Sequence, residues 1–73
     1  MKKKFYVWGT GPAQSALIKE AETSPKAAEV AMKNGFKFTS LDDWAVEVKT
    51  SEEEINEATR FDSAVVGYVV AEY

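Results

Sequence analysis

Two stretches of this chain are punctuated alike, and the echo constrains the fold more than any other feature. Glu22-Thr23-Ser24-Pro25-Lys26-Ala27-Ala28-Glu29 and Lys49-Thr50-Ser51-Glu52-Glu53-Glu54-Ile55-Asn56 each set a Thr-Ser pair before a run of helix formers. A hydroxyl at that position accepts a hydrogen bond from a free N–H of the first turn, and proline fits the first helical position, where an N–H would be unpaired anyway. The first stretch predicts a helix over 25–33, capped by Ser24, whose Ala27, Ala28, Val30 and Ala31 form a small-residue face suited to lying close on a sheet. Asn34-Gly35 ends it, because both residues accept the left-handed conformation. The second predicts a helix over 51–61, with a capping box from Thr50 and Glu53 or from Ser51 and Glu54, and with Ile55, Ala58 and Phe61 pointing inward. Glu52, Glu53 and Glu54 at its start and Arg60 near its end complement the helix dipole, which explains the acidic triplet without a metal or catalytic role. Aligned so that Thr23 falls on Thr50, the two stretches share Glu20/Glu47, Thr23/Thr50, Ser24/Ser51 and Ala31/Ala58. This is a repeated design, for which convergence on common helix-start signals is as good an explanation as duplication.

The same alignment sets residues 16–22 against 43–49. Trp44-Ala45-Val46-Glu47-Val48-Lys49 alternates as a strand, with Trp44, Val46 and Val48 on one face. Residues 14–22 (QSALIKEAE) admit two readings. As a helix, with Pro12 at its start and Ala13, Ala16, Leu17 and Glu20 at helical spacing, they follow a strand over 4–8 and the Gly9-Thr10-Gly11-Pro12 loop. Val7 to Ala16 then resembles the start of a flavin- or NAD-binding Rossmann fingerprint, in which close glycines let the backbone approach a pyrophosphate at a helix N-terminus. The resemblance implies a nucleotide-binding turn at Gly9 to Pro12. It departs from the family pattern at Gln14, where a third glycine belongs, and in the length of parallel sheet that such a unit needs. The echo favours the other reading, in which residues 15–22 are a strand and the Gly-Thr-Gly-Pro loop is a hairpin turn.

Three more segments complete the expected fold. Lys4-Phe5-Tyr6-Val7-Trp8 is aromatic and β-branched and runs into Gly9; Phe36-Lys37-Phe38-Thr39 alternates as a short strand; residues 63–71 (SAVVGYVVA) are apolar on both faces and read as a central strand. The predicted class is therefore α+β: a largely antiparallel sheet of four to five strands in the order ββαββαβ, with two helices on one face, forming a single domain over 1–73. If Phe5 and Val7 face the helices, Tyr6 and Trp8 face away, and Val66, Tyr68 and Val70 share one row of the last strand. One aromatic-bearing face is left over. Either a partner covers it, or a loop or the chain ends fold across it.

A chain of 73 residues has a thin core, since folding at this size buries only about 60% of the surface the unfolded chain exposes. Hydrophobic residues at 45% against 29% charged are enough to fold. The sequence has neither cysteine nor histidine, which removes thiolate and imidazole metal sites, disulfides and the usual proton-transfer group. Catalysis would rest on groups such as Asp42 and Asp43, with Ser40 beside them, a pattern that an Asp-rich turn explains equally. No enzyme, cofactor or metal is expected. Lys2, Lys3 and Lys4 are the only basic run in a chain of net charge −3, the apolar segment behind them is too short for a secretory signal, and no segment is long enough for a membrane span. A cytoplasmic setting is expected.

The leading functional expectation is a non-enzymatic regulatory, inhibitory or accessory protein that binds a protein partner or a second copy through a sheet face or edge strand, with Tyr6, Trp8 and Tyr68 as contact residues. The alternative is a single-stranded nucleic-acid module that uses Lys2 to Lys4 electrostatically and Tyr6 and Trp8 for stacking. The acidic remainder of the chain weighs against it.

Overall fold

The computed structural model describes residues 3–11, 16–19, 21 and 24–72. Its elements are β1 (Lys3–Gly9), α1 (Ala16–Lys19), α2 (Pro25–Lys33), β2 (Trp44–Val48), α3 (Glu52–Phe61) and β3 (Val65–Glu72). β1 lies between β2 and β3 and runs antiparallel to both, with Val7 opposite Val46 on one side and Tyr68 on the other. The class is α+β, as the sequence predicts.

Both helix starts follow the predicted chemistry. Ser24 Oγ accepts from the Lys26 N–H at 3.2 Å with Pro25 in first position, and Ser51 Oγ accepts from the Glu54 N–H at 3.3 Å. Thr50 Oγ1 donates to the Glu54 carboxylate, so both hydroxyls of the second Thr-Ser pair bind the same glutamate. α2 ends in a Schellman motif: Phe36 N–H donates to Ala31 O at 3.0 Å and Gly35 N–H to Met32 O at 3.1 Å, with Gly35 at φ 92°. That positive φ is open to glycine at no steric cost.

The strand count and element order differ from expectation. The sheet has three strands among the described residues, in the chain order βααβαβ. Of the strand expected over 15–22, residues 16–19 form one helical turn and the remainder falls largely outside the described residues. Leu17 and Ile18, neighbours in sequence, both pack on the same core cluster, which a strand forbids because adjacent side chains point to opposite faces. The strand expected over 36–39 does not form either. Phe36 N–H is taken by the α2 terminus, Thr39 and Ser40 N–H donate to Asp43 Oδ2, and the Phe36 and Phe38 rings stack edge to face at 4.7 Å. No backbone donor is left for a ladder at those three positions.

The helices cover opposite faces of the sheet. Val7, Val46, Val48 and Val65 form one buried cluster with Ile55 of α3, flanked by Phe5, Leu17, Ile18, Trp44, Ala58 and Tyr68. Tyr6 and Trp8 alternate to the other face, where they are only 4% and 9% exposed. Ala27 and Ala31 of α2 are fully buried yet outside the Val7 cluster, and α2 lies against β1 and β2. Its alanine face therefore seals the Tyr6 and Trp8 side. The expectation of two helices on one face is corrected, because alternation along β1 identifies two apolar faces without saying which helix each receives. Phe61, expected inward, is 76% exposed at the end of α3, whereas Ile55 is fully buried.

Two glycines fix how closely these layers approach. A Cβ on Gly9 would lie 1.9 Å from Ala64 O and 2.4 Å from the Trp44 ring, and Thr10 N–H donates to the same carbonyl at 2.9 Å. A Cβ on Gly67 would meet the Trp8 ring at 3.0 Å. The register between β1 and β3 shifts at Trp8 and Gly9, which leaves Val66 as the extra, 53% exposed residue of a bulge.

Candidate functional site

The expected contact residues do not share a surface. Tyr6 and Trp8 lie in the core beneath α2, so they present neither a docking face nor stacking platforms for bases. Tyr68 lies on the opposite face, half-buried against the Val7 cluster, and its hydroxyl donates to Asn56 Oδ1 of α3 at 2.6 Å. The leftover face is covered by the chain's own helix α2.

The basic run is similarly drawn into the fold. Lys3 and Lys4 belong to the central strand, and Lys4 Nζ is 3.8 Å from Glu47 Oε1 of β2; Lys2 lies outside the described residues. The Gly9 to Pro12 segment is not the turn of a hairpin. Gly9 closes β1, Gly11 has φ 84°, and Pro12 lies outside the described residues, as does the start of whatever precedes α1. β1 runs antiparallel to both neighbours, whereas a dinucleotide fingerprint needs a parallel βαβ unit around it.

Asp43 is the hub of the loop that leads into β2. Its Oδ1 accepts from Thr10 Oγ1 at 2.8 Å, and its Oδ2 accepts from the backbone N–H of Thr39 and, at 3.0 Å, of Ser40. Ser40 Oγ accepts in turn from Asp42 N–H at 3.2 Å. The Thr39 N–H, then the Thr10 hydroxyl, hold the Asp43 carboxyl below its ordinary range. A general acid needs the reverse shift, so this arrangement suits a structural clasp between the end of β1 and the start of β2. No group of three or more metal-ligating side chains occurs among the described residues, and no helix there is long and apolar enough to cross a membrane.

The two outer strands provide the remaining contrast. β2 is five residues long, carries Glu47 within it, and is flanked by Asp43 and Lys49. Short length and charge are the usual protections of an exposed edge. β3 is eight residues long and has no charge from Val65 to Ala71, and its only sheet neighbour among the described residues is β1. Among the described residues, no strand lies along its outer edge. Residues 67–71 are half-buried, Val66 is exposed, and Phe61 is exposed just upstream. The expectation of a central β3 is thereby corrected: its two apolar faces reflect cover from both sides, the α3 cluster on one and Trp8 on the other, and not a strand on each flank.

No family model, curated protein or solved structure matches the chain.

Proposed function

We propose that this chain is a small non-enzymatic binding module, regulatory, inhibitory or accessory in role, that docks on a protein partner by extending its sheet at β3. The observation that carries the reading is the uncharged outer edge of β3, which no strand among the described residues pairs, set against the short and charged edge of β2. Strand addition takes affinity from main-chain hydrogen bonds along such an edge and specificity from the side chains that alternate beside it. Natural sheets blunt an edge that must stay solvated, and β2 follows that rule while β3 does not. The chemistry of the chain supports binding over catalysis: it has no histidine or cysteine, and Asp43 is committed to holding its own loop.

The test is a titration of isotopically labelled protein with a panel of extended eight-residue peptides, followed by amide chemical shifts. The expected result is saturable shifts that track β3 and leave β2 unmoved. Shifts confined to β2, or no response to any peptide, overturn the reading.

A further inference from the structure

We infer that the strand seated on β3 is β3 of a second copy, paired antiparallel about a two-fold axis at Val69 to make one continuous six-stranded sheet. This rests on the reading of β3 as a docking edge and names its occupant. A two-fold axis perpendicular to a sheet pairs residues of like face, so each side chain meets another from its own side of the sheet. Centred on Val69, Tyr68 falls opposite Val70 of the second copy and Gly67 opposite its Ala71. The sequence suits this self-pairing. Aromatic beside β-branched is among the favourable cross-strand pairs, and the two small residues, Gly67 and Ala71, meet on the face where the Trp8 ring already crowds Gly67.

Charge and length point the same way. The five residues that would pair carry no charge, so no like charges are set opposite one another in a protein of net charge −3. The segment also begins one residue past the bulge at Val66, where the strand is regular. A β3 to β2 contact between copies would instead bring Glu47 into the ladder and leave a charged edge at one end and an open one at the other, which propagates rather than closes. The isologous pairing closes after two copies and, among the described strands, leaves the protected β2 edges outside.

Light scattering across concentration should show a monomer at low micromolar protein that becomes a dimer, and no larger species, as concentration rises. Val69→Lys and Val69→Glu each place like charges on the axis and should weaken the dimer by about ten-fold or more, while an equimolar mixture of the two restores a mixed dimer. Val69→Cys is the gentler variant, informative even if the charged ones fail to fold. In a chain without cysteine it should cross-link to a covalent dimer under mild oxidation, whereas Ala45→Cys on β2 should not. A dimer indifferent to all Val69 substitutions overturns the proposal. So does a wild-type monomer at every concentration, and in that case shifts on β3 in the peptide titration show whether the docking edge itself survives with a different occupant.

Discussion

The two faces of the sheet are sealed by helices of different build. On one, α3 drives Ile55 into a cluster of four valines, and the flanking residues are large: Phe5, Leu17, Ile18, Trp44 and Tyr68. On the other the sheet supplies the bulk, as Tyr6 and Trp8, and α2 brings only the flat side of Ala27 and Ala31. A small domain can thus bury both sides of a three-stranded sheet by packing large side chains from strands and helices together on one face and laying a small-residue helix over strand aromatics on the other. The lesson is that a small-residue helix is complementary to an aromatic strand face, and that such a face need not mark an external binding surface.

The largest expected effect comes from the glycines that set the approach on each side. Gly9→Ala should abolish the folded state, because its Cβ would enter the space of Ala64 O, a backbone atom that cannot give way without moving the start of β3. Gly67→Ala asks the Trp8 ring for only a few tenths of an ångström, and should cost about 1–3 kcal/mol by overpacking. Urea melts of the two variants measure the difference; equal effects would mean that the two faces are equally tight. Next come the helix anchors. Ile55→Ala should lose about 2–5 kcal/mol through lost burial and a residual cavity. Ala31→Leu should lose about 1–3 kcal/mol for the opposite reason, a side chain too large for the gap above the sheet. If Ala31→Leu proves neutral, α2 is not pressed against Tyr6 and Trp8 as described.

The smallest effect concerns the loop that carries the chain from α2 back to the sheet. Asp43 is held below its ordinary range by the Thr39 N–H and the Thr10 hydroxyl, so its folded pKa lies below its unfolded one. The sign is that of a depressed acid: its contribution is complete above the unfolded value, about 4, and is lost as pH falls through the folded value. Asp43→Asn replaces one accepting oxygen by a donor group. It should lower the melting temperature by a few degrees at neutral pH, with the gap to wild type closing under acid. Glu29, depressed by its hydrogen bond to Lys33 and by the charge of Lys26, adds a background in the same direction that is common to both proteins. A gap independent of pH would show that the Asp43 carboxylate is not the clasp.

Much of this was legible in the sequence where the governing interactions are local. Ser24 and Ser51 as caps, Pro25 as first residue, Gly35 as terminator and the alternation of Trp44, Val46 and Val48 need only neighbouring residues to be read. The Thr-Ser echo held for both helices and failed for what precedes them. Upstream of the second lies strand β2; upstream of the first, Leu17 and Ile18 are turned together onto one cluster by a helical turn. The difference is tertiary, since Trp44 to Val48 has β1 to pair with. Residues 36–39 failed for a similar reason: their backbone donors were claimed by the α2 terminus and by Asp43, a carboxylate four residues beyond Thr39. The exposed Phe61 and the buried Tyr6 and Trp8 were misplaced together, because hydrophobicity says that a side chain is worth covering and not which element is near enough to cover it.

The sheet register sets Lys3 opposite Glu72, and the first of the three described strands is the central one. The wiring therefore postpones closure. β1 can gain neither sheet partner until the intervening helices have been traversed, and its second flank is filled only when β3 has been reached. Folds dominated by such distant pairings are slow for their size, since loop-closure entropy is lost before contact energy is returned. While β1 waits, its vacant flank is open to the β3 of another chain as well as to its own, which the tether favours. Refolding at rising protein concentration thus becomes a race between closing the ring of contacts within one molecule and exchanging strands between two.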